Sequence, residues 1–311
     1  MKLSLVVPCY NEEGNVELFY QEVNKFLKDK ILSYEIIFVN DGSQDHTSQK
    51  LLSLHHQHPD DTKIIQFSRN FGKEAAILAG LEKSNGDYVS IIDADLQQSP
   101  KYVVEMVEFL DEHQEYDSVA AYQKVRKESK VMTFFKDSFY HFINKITEVE
   151  ISHSASDFRT LRRNVVETIK ELPERCRFSK GIFAWVGYNT YLMPYVVDKR
   201  ASGESKWSFG QLLSYAMDGI IAFSTKPLTI SIVLGIIMFL FSILLFIYIL
   251  IRQFVFLSIV HSFIILTAII LFVSGIQLFS VGILGQYLAK TYTEAKHRPS
   301  YIIKDYIDRE D

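Results

Sequence analysis

The chain has 311 residues, room for one large domain or two smaller ones, and a formal net charge of −4 with a sequence pI near 6.2, a balance that argues against a nucleic-acid partner. Its two cysteines, Cys9 and Cys176, have no CxxC or Cys/His spacing, which excludes a zinc ribbon, and both read as buried thiols. Hydrophobic residues make up 48% of the chain and mean hydropathy is +0.06, an apolar excess concentrated near the carboxyl end.

The first half alternates strand and helix. Leu3–Val7 reads as a short strand ending at Pro8, and Glu13–Leu27 as a helix with Val16, Phe19, Val23, Phe26 and Leu27 on one stripe. Tyr34–Val39 is the next strand, stopped by Asn40-Asp41-Gly42-Ser43. A helix over about Thr47–His55, a strand over Lys63–Phe67 and a helix over about Lys73–Lys83 follow. Tyr88–Ile92 is a fourth strand, Pro100–Glu112 a helix with proline near its first turn, and Asp117–Tyr122 a fifth strand. Strands spaced by helices predict parallel pairing through right-handed crossovers, a nucleotide-binding type of α/β sheet.

Each of those strands runs into polar residues. The first ends in Pro8-Cys-Tyr-Asn-Glu12, the second in Asn40-Asp41-Gly42-Ser43, the third in Ser68-Arg69-Asn70-Phe71-Gly72-Lys73, and the fourth in Asp93 and Asp95 followed by Gln97. Open α/β sheets bind ligands outside the carboxyl ends of their strands. Two neighbouring carboxylates there suit a divalent cation that keeps water and takes phosphate oxygens as further ligands. Asp41 suits a nucleobase or ribose, and Lys73, at a helix amino terminus, suits a phosphate. Any one of these loops is also a good solvated turn; the signal is their coincidence at successive strand ends. No GxGxxG follows the first strand and no GxxxxGK[ST] occurs, which disfavours a dinucleotide dehydrogenase and a P-loop NTPase.

Between Pro227 and Tyr287 the only formally charged residue is Arg252, and the stretch divides into two apolar spans, about Leu228–Ile251 and about Leu257–Leu284. Each exceeds the roughly 20 residues that cross a hydrocarbon core, so two transmembrane helices are expected. Met1–Pro8 lacks the features of a cleavable signal, which keeps the amino-terminal part in the cytosol. Lys199, Arg200, Lys206, Lys226, Lys290, Lys296 and Arg298 flank the hairpin on the side away from its short link, a bias that agrees with a cytosolic body and tail. Phe209, Leu212, Leu213, Ala216, Ile220 and Phe223 recur at helical spacing, as in an amphipathic helix lying on a membrane surface.

Taken together, VVPCYNEEGN, IIFVNDGSQDHT, FSRNFGKEAAILAGL, GDYVSIIDADLQQSP, SDFRTLRR and RASGESKWSF resemble the family-2 glycosyltransferases of GT-A fold. Within them the chain is similar to the polyprenyl-phosphate branch, which includes dolichol-phosphate mannose synthases and bacterial undecaprenyl-phosphate glucosyltransferases. The resemblance covers essentially the whole chain, including the hairpin and the GQYLAKTYTEAKHRPSY tail. It implies a GT-A sheet at 1–207, a juxtamembrane helix at 208–226, two transmembrane helices at 227–287 and a cytosolic tail at 288–311. It implies further that Pro8, Tyr10, Glu12, Asp41 and Asp93 contact the nucleotide-sugar, that Lys73 lies near the donor, and that Asp93, Asp95 and Gln97 surround Mg²⁺ or Mn²⁺. Asp95 and Asp157 would be the catalytic carboxylates.

The acceptor side is expected in the middle of the chain. Asp157, in Ser156-Asp-Phe-Arg159, matches the residue taken in the family as a base or a sugar-orienting group; a structural ion pair with Arg159 is the alternative. A lipid phosphate has a second pKa near 6 and is mostly ionised at neutral pH, so Asp157 is expected chiefly to position substrates. Arg177, Arg200, Ser205 and Lys206 are the acceptor-phosphate candidates, with interfacial snorkelling the competing explanation. The expected reaction moves a hexose, from UDP-glucose, to undecaprenyl phosphate at a multi-pass cell membrane protein, with inversion in a single displacement. UDP-N-acetylglucosamine or GDP-mannose as donor, and an inactive nucleotide-sugar binding or assembly protein, are the rival readings. No QxxRW pattern occurs, and two spans are few for the export channel of a processive synthase. Two-helix hairpins bury little surface, which leaves room for packing between copies.

Overall fold

In β1 (Leu3–Cys9), Leu3, Leu5, Val7 and Cys9 enter one hydrophobic cluster and Val6 enters another, as the two-residue period of a strand buried on both faces requires. The computed structural model describes residues 2–31, 33–123, 155–175, 177–196, 220–255 and 262–309. Cys176, the acceptor candidates Arg200, Ser205 and Lys206, and the stripe from Phe209 to Ala216 lie outside the described residues.

β1 pairs in parallel with β2 (Tyr34–Asn40) and with β4 (Tyr88–Ile91), and β2 pairs in parallel with β3 (Thr62–Phe67). On one face α1 (Val16–Leu27) packs beside α2 (Thr47–Gln57) and α4 (Lys101–Glu112), burying Val16, Phe19, Val23, Val103, Met106 and Leu110. On the other, α3 (Lys73–Lys83) lies across β1 and β2. A Cβ on Gly80 would fall 2.2 Å from Cγ1 of Val6, so glycine is what lets this helix press onto the central strand. Each fully buried Leu, Ile or Phe in these clusters stabilises the fold by about 1.5–3 kcal/mol.

The all-parallel expectation holds for β1–β4 and is corrected on both flanks. β6 (Ala155–Arg162) runs antiparallel to both β4 and β5 (Ser118–Gln123), β5 pairs in parallel with β7 (Thr190–Tyr195), and β8 (Ile303–Ile307) adds antiparallel to β3. The eight strands run β7-β5-β6-β4-β1-β2-β3-β8. A chain that enters β6 at the end of the sheet where β4 stops has to run back along it. From β6 the chain passes into α5 (Arg163–Glu171) and α6 (Ser179–Trp185), which close the α3 face through Val165, Val166, Ile169 and Ile182.

Two long helices follow, α7 (Lys226–Val255) and α8 (Ser262–Ala295), both long and apolar enough to cross a bilayer, with Phe239, Leu244, Leu271 and Leu278 among their exposed side chains. β8 falls in the stretch read from sequence as a tail, and it is tied down. Tyr301 stacks on Phe67 at 5.0 Å and donates to Glu82, while Lys63 bridges Asp308 at 2.7 Å and Glu35 at 3.2 Å.

Candidate active site

The loops after β1 and β2 are laced together. Asn11 sits at φ 54, its N–H donates to Ser43 Oγ (2.9 Å) and its Oδ1 accepts from Gln44 N–H (2.9 Å). Glu12 N–H donates to Thr47 Oγ1, and the Glu12 carboxylate accepts from Asn15 Nδ2 at 2.6 Å. Pro8 pairs in register with Val39, and Tyr10 lies half-buried just past the strand end. Asp41 is 4% exposed, and its two oxygens accept from the N–H groups of Phe71 (2.6 Å) and Gly72 (3.0 Å). Burial pushes its carboxyl up, and those two donors only partly offset the push. Gly42, at φ +63, is needed here: a Cβ would meet the carbonyl carbon of Arg69 at 2.3 Å. Asp41 and Gly42 therefore fix the 69–72 loop, and through it the start of α3.

Beyond β4 the chain makes a tight turn. Ile92 N–H donates to Val6 O, Asp93 N–H to Gln98 Oε1 (3.0 Å), and Gln98 Nε2 returns a bond to Asp93 Oδ2 (3.2 Å). Leu96 takes φ 60, a left-handed conformation that costs an ordinary residue about 1–2 kcal/mol, and its side chain packs against the core. Asp95 Oδ1 accepts from Gln97 N–H. Sequence reading singled out Gln97; Gln98, buried and clamping Asp93, was missed, and only its place before Ser99-Pro100 hinted that it turns inward.

Lys73, the first residue of α3, reaches over this turn. Its Nζ lies 2.6 Å from Asp93 Oδ1 and 3.4 Å from Asp157 Oδ2. β6 supplies Asp157 through its antiparallel register: Ile91 faces Arg159 in the last pair of the β4–β6 ladder, so Asp157, two residues before Arg159, lies at the end of the sheet where the chain turns after β4. Lys73, Asp93 and Asp157 thus meet at one end of the sheet. Burial disfavours the Lys73 ammonium, but Asp93 and Asp157 outweigh it and hold its pKa above the usual lysine range. Burial likewise disfavours ionised Asp157, and Lys73, Lys180 and Arg159 together reverse that and lower its pKa.

Behind this trio lies a second layer of buried charge. Arg159, 4% exposed, donates from Nη2 to Ser156 O, and its guanidinium lies over the Phe183 ring at 3.6 Å. Burial brings its pKa down to about 10 despite the nearby Asp157 and Glu74. Glu74 accepts from both N–H and Oγ of Ser179, capping α6. Oδ1 of Asp157 is buried with no hydrogen-bond partner. Arg177, an acceptor-phosphate candidate, donates to the carbonyls of Leu172 and Ile169 at 3.2 Å and so caps the carboxyl end of α5.

Among the described residues no three His, Cys, Asp or Glu side chains cluster as a metal cage. Asp93 and Asp95 nonetheless offer hard oxygen donors one residue apart on an accessible turn, a set that fits Mg²⁺ or Mn²⁺ when water and substrate phosphate complete the shell.

The sheet has parallel strands at its centre, polar loops at their carboxyl ends and a DxD turn after β4, the arrangement expected of a glycosyltransferase of GT-A fold. The profile described as Glycosyl transferase family 2 matches residues 4–170, more than half of the chain. The chain belongs to glycosyl transferase family 2 and is a glycosyltransferase. It is 40% identical over 304 residues to the putative glycosyltransferase CsbB of Bacillus subtilis (strain 168), covering 97% of this chain and 91% of that one. With the bactoprenol glucosyl transferase of Shigella phage SfV it shares 39% over 306 residues, 98% of this chain and 99% of the other. Its fold is that of glucosyl-3-phosphoglycerate synthase from Mycobacterium tuberculosis, crystallised with Mn²⁺, UDP and phosphoglyceric acid, at a TM-score of 0.53 and 17% identity over 71% of this chain and 76% of that one.

Proposed function

We propose that this chain transfers glucose from UDP-glucose to undecaprenyl phosphate at the cytosolic face of a membrane, with inversion and with the help of a divalent cation. The observation that carries the reading is the meeting of Lys73, Asp93 and Asp157 at the carboxyl end of β4, in a chain that also carries two helices of bilayer-crossing length. The name of the phage SfV relative, bactoprenol glucosyl transferase, supports the sugar and the lipid, and the Mn²⁺ and UDP in the structural relative support the donor and the metal. Residues 1–207 with the returning strand β8 form the cytosolic body, 208–226 the juxtamembrane element and 227–287 the membrane hairpin.

Pro8, Tyr10, Glu12 and Asp41 line the nucleotide end; Asp41 acts there largely through the 69–72 loop it holds. Asp93, Asp95 and Gln97 would hold Mg²⁺ or Mn²⁺, which when bound neutralises charge on the departing diphosphate. Lys73 keeps a fixed positive charge beside the same group. Asp157, held beside Lys73, orients the donor sugar. An oxygen of the lipid phosphate attacks the anomeric carbon, the bond from that carbon to the diphosphate oxygen breaks, and UDP departs with the electron pair. Because the nucleophile is already an anion, no side chain has to take a proton from it.

Purified full-length protein offered UDP-glucose, UDP-N-acetylglucosamine and GDP-mannose in turn, with undecaprenyl phosphate and Mn²⁺ or Mg²⁺, tests this. A glucolipid of inverted anomeric configuration, formed from UDP-glucose and abolished by chelator, is the expected product. Lipid product from another donor corrects the sugar; donor binding without transfer overturns the reading.

A further inference from the structure

Two clefts adjoin on the α6 side of Lys73. The first is lined by Lys73, Glu74, Arg175, Arg177, Phe178 and Lys290 among others; Lys73 is paired with Asp93 and Asp157, and the remaining three cations face one carboxylate, which already accepts from Ser179. The second is mainly apolar, with Phe178, Ile182, Ile221, Ala222, Phe223 and Tyr287 on its walls. Arg175, Phe178 and Lys290 belong to both. The carboxylates of the second cleft, Glu174 and Glu294, keep an anion toward the first; Glu294 accepts from the N–H of Arg175 at 3.0 Å. Tyr287 and Lys290 lie one turn apart on α8 just past its apolar stretch, and Tyr287 donates to Ser224 O, so the junction of the clefts sits where the long helix leaves its apolar run.

We propose that the two clefts are one path for the acceptor, with the phosphate of a polyprenyl phosphate seated between Arg175 and Lys290 on its way to Lys73 and its first prenyl units lying along Phe178, Ile182, Phe223 and Tyr287. The proposal rests on the function proposed above and adds residues beyond the acceptor candidates read from the sequence. Charge segregation selects the occupant: a single-chain lipid phosphate has an anionic head and a branched apolar tail in the order of the two clefts. Arg177 contributes field rather than contacts, because its Nη1 and Nη2 are both engaged on the carbonyls of Leu172 and Ile169, whereas Arg175 donates Nη1 to the Arg298 carbonyl and keeps Nη2 for the phosphate.

The test measures binding without turnover. Radiolabelled undecaprenyl phosphate is titrated onto full-length protein in detergent with no donor present, and farnesyl phosphate, farnesol and inorganic phosphate are used as competitors. Wild type should bind saturably, farnesyl phosphate should compete, and farnesol and inorganic phosphate should compete poorly. Lys290→Glu and Arg175→Gln should each weaken binding about tenfold, Lys290→Arg should restore it, and Mn²⁺-dependent UDP binding should stay within twofold in all three as the check on folding. Unchanged lipid affinity in both charge variants overturns the path while leaving the transferase reading intact. Saturable, charge-dependent lipid binding by a protein that transfers no sugar upholds the path and sinks that reading instead. Equal competition by inorganic phosphate overturns the prenyl half of the proposal.

Discussion

On the β4 side of Lys73, Asp93 sits on a short turn with a third of its side chain open to solvent; on the β6 side, Asp157 is 18% exposed and Arg159 4% exposed beneath α6. The open side is held, among the contacts of Asp93, by hydrogen bonds with Gln98 and by the ion pair with Lys73, on a turn that solvent reaches. The closed side is a mesh in which Glu74, Asp157, Arg159, Lys73 and Lys180 balance one another, and removing one leaves another buried and uncompensated. One end of the sheet thus pairs an accessible surface with a fixed frame, and substitutions on the two sides should fail in different ways.

Asp95→Asn should break the open side alone. Turnover should fall by about three orders of magnitude, as expected when charge neutralisation worth several kcal/mol is lost, while the thermal midpoint moves by no more than a degree or two. Single-turnover transfer assays beside a thermal melt would check both halves. Arg159→Ala should break the closed side, lowering stability by about 3–5 kcal/mol, read in a denaturant titration of detergent-solubilised protein. A loss of activity with unaltered stability there would place Arg159 on the reacting side instead. Asp157→Ala joins the two, losing both turnover and stability; near wild-type turnover would remove its orienting role.

pH sharpens the contrast. The folded pKa of Asp157 lies below its unfolded value, so its contribution to stability is present above the ordinary carboxylate range and is lost only as pH falls through the lowered value. The acid limb of kcat/KM should therefore fall near pH 6 with the second ionisation of the lipid phosphate, about tenfold per unit below it, with the fold still intact. A limb that follows unfolding in circular dichroism would contradict this. The smallest effect is expected at Arg177→Gln, about 1 kcal/mol from the lost cap of α5, measured by the same denaturant titration.

Much of the open side was legible in the sequence, because its βα units are local: a two-residue period, a turn of Asn, Asp and Gly, then a helical stripe. α3 begins at Lys73, as the spacing predicts, and Asp93 and Asp95 lie in the turn just past β4. The closed side depends on an antiparallel pairing between residues about seventy positions apart, which no local pattern encodes; Asp157 was placed by resemblance, Arg159 was legible only as its neighbour in sequence, and Glu74 only in the folded chain. Gln98 was hidden because Leu96 adopts a left-handed conformation that reverses which glutamine turns inward. β8 was hidden because Ile303-Lys-Asp-Tyr-Ile307 is short and half polar, and its partner, β3, lies on the far side of both long helices in the sequence.

That last pairing sets an order of events during synthesis. The ribosome must finish both long apolar helices before it makes the strand that covers β3, so until then the sheet carries a raw edge of unpaired peptide groups. Maturation of the catalytic body is thereby made to wait for the hairpin, and an arrested nascent chain ending before Tyr301 would expose a sticky border that the finished protein conceals.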